Sequence, residues 1–151
     1  MSSPASARPV DVLLAEDNPA DAHLMQRMLG KLRTPTRLHI VRDGEQAVRF
    51  LRRQGEYTDA PRPDLVLLDV NMPRKTGLEV LAETKADDDL RSIPVIMLTS
   101  SCAERDVEES YRLHANCFIT KPVDLQRFTG LVHAFEEFWL RTVELPRTSA
   151  A

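Results

Sequence analysis

The sequence has few cysteines, few aromatic residues, no excess of basic residues and no long hydrophobic run. Its two cysteines form neither a disulfide framework nor a metal-binding spacing, so we expect reduced thiols. A formal net charge of -3 argues against nucleic acids and anionic membranes as direct partners. No run is long enough to span a bilayer, and the first nine residues lack the apolar core of a signal peptide. These absences favour a cytoplasmic protein that binds neither nucleic acid nor membrane.

The remaining composition is that of an ordinary globular protein. A length of 151 residues fits one domain, and a hydrophobic content of 42% is sufficient for its core. We expect residues 1–9 to be flexible, residues 10–140 to form the folded domain and residues 141–151 to form a C-terminal tail.

Short apolar runs alternate with stretches of helical spacing along the domain. The predicted strands are residues 10–15, 36–41, 65–69, 94–98 and 117–120. A helix is predicted after each of them, the fourth over residues 103–113 and the fifth from residue 125. The third strand has no polar alternation, as in a strand buried on both faces. The pattern predicts an α/β fold with a doubly wound, five-stranded parallel sheet of flavodoxin-like order 2-1-3-4-5 and five helices.

Polar side chains stand where four of these strands end. Glu16 and Asp17 follow the first strand, Asp69 ends the third, Thr99 follows the fourth and Lys121 follows the fifth. Because the carboxyl ends of parallel strands form one ligand-binding crevice, these groups should converge. A single aspartate at a strand end is more often a turn former. Four such coincidences favour one site.

The chemistry of these groups is mutually consistent. Three crowded carboxylates repel one another, and a hard divalent cation such as Mg²⁺ relieves that repulsion. A lysine and a hydroxyl are suited to a phosphoryl group, as a point charge and a hydrogen-bond partner. The combination predicts phosphoryl transfer to an aspartate nucleophile.

With these motifs the sequence resembles the receiver domain of two-component response regulators over residues 10–140. The family's order and spacing are matched by Glu16-Asp17, by Asp69-Val70-Asn71-Met72-Pro73 with Gly77, by Thr99-Ser100 and by Lys121-Pro122. The resemblance implies that Asp69 accepts the phosphoryl group and that Thr99 and Lys121 contact it. It also implies that Mg²⁺ is bound by Glu16, Asp17, Asp69 and the backbone carbonyl of Asn71. Phe118, three residues before Lys121, would change rotamer together with Thr99.

A narrower resemblance concerns the partner. The segments 55–64 and 138–146 are similar to those of small stand-alone regulators paired with bacterial phytochrome-type histidine kinases. This resemblance implies a histidine kinase as phosphodonor and red or far-red light as the upstream signal. Only thirty residues follow Lys121, so we expect the output to pass through protein contacts.

The last helix carries more apolar residues than one core-facing stripe requires. At 100° per residue its apolar arc spans roughly 200°, about twice the usual width. We therefore predict a homodimer, unless the tail folds back on its own domain. The predicted interface consists of Leu131, Phe138, Trp139, Leu140, Val143 and Leu145.

Two other functions are compatible with parts of the pattern. A haloacid-dehalogenase-type phosphatase also forms an aspartyl phosphate, but it is expected to have an aspartate where this chain has Asn71. A degenerate receiver would serve as a phosphorylation-independent binding module. We expect neither: the chain should not be an enzyme beyond assisting its own phosphorylation and dephosphorylation.

Overall fold

The chain folds around a five-stranded parallel sheet. The structure, a computed structural model, describes residues 9–32, 35–99, 117–121 and 126–130 and the single residues 108, 112 and 133. The strands are β1 (Val10–Ala15), β2 (Thr36–Val41), β3 (Leu65–Asp69), β4 (Val95–Thr99) and β5 (Cys117–Thr120). All neighbouring strands are parallel, in the order β2-β1-β3-β4-β5. The predicted flavodoxin-like sheet is confirmed.

Three helices have both ends within the described residues: α1 (Pro19–Gly30), α2 (Gly44–Arg52) and α3 (Gly77–Ala86). Each begins at a side-chain cap, provided by Asn18, Asp43 and Thr76 respectively. Residues 108 and 112 are helical within the predicted fourth helix, and residues 126–130 and 133 are helical within the fifth. The rest of those two helices lies outside the described residues. None of the helices in this described part is long and apolar enough to cross a membrane.

The central strands are covered on both faces. Every residue of β1, β3 and β4 is buried, including the carboxylate-bearing Asp11 of β1, as expected for strands with helices on both faces. One face packs against α2 and α3 through side chains such as Phe50 and Leu81. The opposite face packs against α1 through Met25 and Leu29, and against the fully buried Phe128. The sheet is therefore a rigid base, and its carboxyl edge fixes the positions of the polar groups.

Two local features differ from the sequence-based expectation. Leu24 shares the helical spacing of the α1 core residues, yet it is 39% exposed, because the side of α1 that faces the sheet is narrower than its apolar arc. The connection 54–63, whose polar composition predicts a solvated loop, contains a 3₁₀ turn at Gly55–Tyr57. Tyr57 packs against Phe50 with ring centroids 5.3 Å apart, so this loop contributes to the core.

Candidate functional site

Asp69 lies at the carboxyl end of the central strand β3. Its side chain is buried, and its Oδ1 accepts a hydrogen bond from the backbone N–H of Asn71 at 3.2 Å. The next residue continues the ladder, because the N–H of Val70 donates to the carbonyl of Leu98 at 2.8 Å. The carboxylate is thus held in a fixed place at the edge of the sheet.

The acidic pair after β1 lies next to Asp69. Ligand atoms of Glu16, Asp17 and Asp69 all lie within 4.8 Å of one another. Glu16 is fully buried, and its Oε2 accepts a hydrogen bond from the N–H of Asn18 at 3.2 Å, whereas Asp17 is exposed. The predicted convergence of the first and third strand ends is therefore present in the structure.

Burial of the Glu16 carboxyl raises its pKa to about 7. The hydrogen bond from Lys121 opposes this shift, and the nearby Asp69 carboxyl adds to it. Because burial and the Asp69 carboxyl both disfavour the ionised form of Glu16, a further positive charge beside these carboxyls would favour that form. The cluster is therefore suited to a cation.

Lys121 brings one positive charge to this cluster from the end of β5. Its Nζ lies 2.5 Å from Oε1 of Glu16, 3.0 Å from Oδ2 of Asp21 and 3.4 Å from Oδ2 of Asp69. Burial disfavours the ammonium, but hydrogen bonds to Glu16 and Asp21 and the charge of Asp69 outweigh it and raise the pKa of Lys121. Its backbone N–H donates to the carbonyl of Thr99 at 2.5 Å. Lys121 is therefore a charged group fixed at both its backbone and its side chain.

The remaining predicted residues occupy the same sheet edge or the strand beside it. Thr99 is the fully buried last residue of β4. Phe118, in β5, is half-buried and packs against the apolar cluster beneath α2 and α3. Asn71 is exposed in the loop after β3. The predicted dimer residues 131, 138–140, 143 and 145 lie outside the described residues.

Asp21 is a member of this site that sequence reasoning missed. It lies in the first turn of α1 and is one of the three carboxylates around the Lys121 ammonium. A signal was present, because Asp21 stands four residues after Asp17 at the start of the helix that leaves the same sheet edge. An acidic residue in the first turn of a helix is usually explained by its favourable interaction with the helix dipole alone. The contact of Asp21 with Lys121 was therefore not predicted from the sequence.

The donor set fits a small, hard divalent cation. Carboxylate oxygens are the protein ligands that Mg²⁺ and Mn²⁺ prefer, and both ions favour octahedral coordination completed by water. The exposure of Asp17 leaves one side of the cluster open to solvent. The arrangement can hold a cation beside the Asp69 carboxylate while Lys121 faces that carboxylate from β5.

The sequence matches the profile of the response regulator receiver domain over residues 12–133. This chain belongs to that family. Receiver domains are signalling proteins rather than enzymes that turn over an external substrate, so the phosphatase alternative is no longer supported. The chain is 49% identical over 144 residues to response regulator Rcp1 of Synechocystis sp., covering 95% of this chain and 98% of the relative.

Solved structures of similar receivers agree with this fold. The phosphorylated cyanobacterial phytochrome response regulator RcpA has a TM-score of 0.80 and 47% identity, over 92% of this chain and 99% of that chain. The Mn²⁺-bound form of Rcp1 has a TM-score of 0.79 and 49% identity, over 91% and 99%. A receiver domain of a Pseudomonas aeruginosa sensor histidine kinase, with Mg²⁺ in its active-site cleft, has a TM-score of 0.71 and 29% identity, over 84% and 97%. Divalent cations are thus bound by receivers similar to this one.

Proposed function

We propose that this chain is a response regulator that accepts a phosphoryl group on Asp69 in a Mg²⁺-dependent reaction. The observation that carries the proposal is the meeting of three strand ends at one carboxylate. Asp69 shares the cluster with Glu16 and Asp17, and the Lys121 ammonium lies 3.4 Å from its Oδ2. A buried nucleophile between a cation site and a lysine is the arrangement that phosphoryl transfer requires.

In the forward step, a carboxylate oxygen of Asp69 attacks the phosphorus of a phosphohistidine. An O–P bond forms, the P–N bond breaks, and the imidazole of the kinase leaves with the bonding electron pair. In the dephosphorylation step, water attacks the same phosphorus and the O–P bond to Asp69 breaks, so that inorganic phosphate leaves and the carboxylate is restored. This chain assists both steps on itself only.

The proposed roles follow the positions of the side chains. Glu16, Asp17 and Asp69, with the backbone carbonyl of Asn71, would hold Mg²⁺, and the ion would supply positive charge for the transferred group. Lys121 contributes a fixed positive charge on the β5 side. We assign the hydroxyl contact with the phosphoryl group to Thr99.

Phosphorylation is proposed to change the surface near β5. The added group carries nearly two negative charges and three strong acceptor oxygens, which attract Thr99 and Lys121. Phe118, three residues before Lys121 in β5, packs against the apolar cluster beneath α2 and α3, and its rotamer change would carry the signal outward. The interface of the predicted homodimer, formed by the last helix and the tail, would respond to this change.

The proposed phosphodonor is a phytochrome-type histidine kinase. The support is the likeness to Rcp1 and RcpA along almost their whole length. Light sensing would then belong to the kinase, and this chain would carry the signal in the cytoplasm through protein contacts.

The deciding experiment measures intact-protein mass after incubation with acetyl phosphate, with and without Mg²⁺. The wild type is compared with Asp69→Asn and with the control Asp64→Asn, which changes a buried aspartate just before β3, away from the carboxyl edge. We expect one added phosphoryl group in the wild type and the control, only with Mg²⁺, and none in Asp69→Asn. An adduct that persists in Asp69→Asn would contradict the assignment. If the wild type formed no adduct with acetyl phosphate and none with any phosphorylated kinase, the result would favour a phosphorylation-independent binding module.

Two further measurements test the partner and the oligomer. Phosphotransfer from an autophosphorylated phytochrome-type kinase should be much faster than transfer from a kinase of another sensor class.

Analytical ultracentrifugation at micromolar concentration should give the mass of a dimer, and Trp139→Ala should shift that mass toward the monomer. A monomeric mass of the wild type in both phosphorylation states would exclude the dimer.

A further inference from the structure

The Lys121 ammonium is surrounded by three carboxylates at three different distances. Glu16 lies at 2.5 Å and Asp21 at 3.0 Å, both within hydrogen-bond distance, whereas Asp69 lies at 3.4 Å. An ammonium has three N–H donors and no acceptor. Two donors are therefore occupied by Glu16 and Asp21, and the third is left for the side of Asp69.

Both hydrogen-bond partners of Lys121 are fixed through the same residue. The backbone N–H of Asn18 donates to Oε2 of Glu16 at 3.2 Å. The side-chain oxygen of Asn18 accepts a hydrogen bond from the backbone N–H of Asp21 at 3.0 Å, as the cap of α1. The cap of α1 thus ties the carboxylate of Glu16 and the backbone of Asp21 to the same residue.

Asp21 is more exposed than the two side chains with which it shares the hydrogen-bond network, Lys121 and Glu16. Its side chain is 39% exposed, whereas that of Lys121 is 10% exposed and that of Glu16 is fully buried. Asp21 is also not among the three carboxylates that cluster within 4.8 Å as a cation site. Its contact with the site is therefore made through Lys121.

We propose that Asp21 is a positioning residue that, together with Glu16, directs the Lys121 ammonium toward the phosphoryl group on Asp69. This inference rests on the proposed function of Asp69. Lysine has a flexible four-carbon stem and a compact charge, so a single hydrogen bond leaves its direction free. A second anchor removes that freedom before the reaction begins, and small errors in placement lower rates strongly.

The test compares the rate of Asp69 phosphorylation by acetyl phosphate at saturating Mg²⁺. Asp21→Asn keeps the size of the side chain but replaces the ion pair with the Lys121 ammonium by a weaker hydrogen bond to a neutral amide oxygen. We expect the rate constant to fall by about tenfold, within the range found for residues in direct contact. Asp59→Asn removes the same charge from an exposed position of the loop before β3 and should leave the rate unchanged. Asp21→Glu should restore most of the rate.

A double-mutant cycle separates positioning from a purely structural role. If Asp21 acted only through the stability of α1, Asp21→Asn would lower the rate equally in the wild type and in Lys121→Met. We expect instead less than about a twofold effect in Lys121→Met, because the residue that Asp21 positions is absent. Long incubations followed by intact mass make the slow Lys121→Met reaction measurable.

A spectroscopic measurement decides the same question without kinetics. In the wild type, the ammonium protons of Lys121 should exchange slowly enough for detection by NMR, and Asp21→Asn should abolish that protection. An unchanged rate and unchanged protection in Asp21→Asn would overturn the inference, as would equal losses in both backgrounds. Absence of any phosphorylation in the wild type would instead refute the proposed function, so the two failures are distinguishable.

Discussion

The backbone of Gly77 lies against the backbone of Asp69. A Cβ atom added at Gly77 would lie 2.1 Å from the carbonyl oxygen of Asp69 and 2.8 Å from its carbonyl carbon. The N–H of Gly77 also donates to the carbonyl of Val70 at 2.8 Å. The start of α3 therefore packs directly on the residue that carries the reactive carboxylate, and only glycine permits this approach.

Gly77→Ala should accordingly destabilise the protein and slow phosphorylation of Asp69. The atoms in the way belong to the backbone, which cannot move aside as a side chain can, so we expect a loss of about 1–3 kcal/mol in the free energy of unfolding. Urea denaturation measures the loss. Gly30→Ala is the matched control, because a Cβ there would meet nothing within 4 Å and alanine is the better helix former. Equal stability of the two variants would contradict this close packing of Gly77 on the Asp69 backbone.

Mg²⁺ should raise the midpoint of thermal unfolding. A ligand that binds only the folded state stabilises it, by about 2.7 kcal/mol at one hundred times its dissociation constant. Asp17→Asn should reduce this gain without a defect in the core, because Asp17 is the exposed member of the cluster. The control is Asp88→Asn, which removes another exposed charge, after α3. A Mg²⁺-induced shift of the same size in Asp17→Asn would place the cation elsewhere.

Thr76→Ala tests how much the side-chain cap of α3 contributes to stability. The side chain of Thr76 accepts a hydrogen bond from the N–H of Glu79 at 3.2 Å, and the Glu79 carboxylate accepts one from the N–H of Thr76 at 2.9 Å. Loss of this capping box should cost about 1 kcal/mol in the free energy of unfolding. Thr76→Ser retains the hydroxyl and should remain close to the wild type. If serine and alanine were equally destabilising, the methyl group rather than the hydrogen bond would be responsible.

The sheet and the strand-end residues were predictable because their signals are local. A buried strand such as β3 is an unbroken apolar run, and Asp69 stands visibly at its end. The parallel arrangement then brings the ends of β1, β3, β4 and β5 to one edge without further information. Fold and cation cluster follow from these few rules.

The missed features depend on directions that the sequence does not contain. Asp21 reaches the site because the Lys121 side chain turns toward α1, which only the packed structure reveals. Tyr57 enters the core because its loop folds back on Phe50. Leu24 is exposed although its spacing matches that of buried residues. Helical spacing shows which side of α1 is apolar, but it does not show which part of that side the sheet covers.

Asp64 provides the last prediction, which separates a structural aspartate from the functional ones. It is buried just before β3, away from the strand end that carries Asp69. Its Oδ2 accepts a hydrogen bond from the N–H of Asp11 at 2.9 Å, and its own N–H donates to the carbonyl of Asp11 at 2.7 Å. Asp64→Ala removes the side-chain acceptor for a buried N–H and should cost about 1–3 kcal/mol in the free energy of unfolding.

Asp64→Ala should nevertheless be phosphorylated at the wild-type rate, at a temperature where circular dichroism shows both proteins folded. Asp64→Asn keeps an acceptor oxygen, so its stability should lie close to that of the wild type. A slowed reaction in folded Asp64→Ala would mean that the two ends of β3 are coupled. An unchanged free energy of unfolding would mean that another group can replace the carboxylate as acceptor for Asp11.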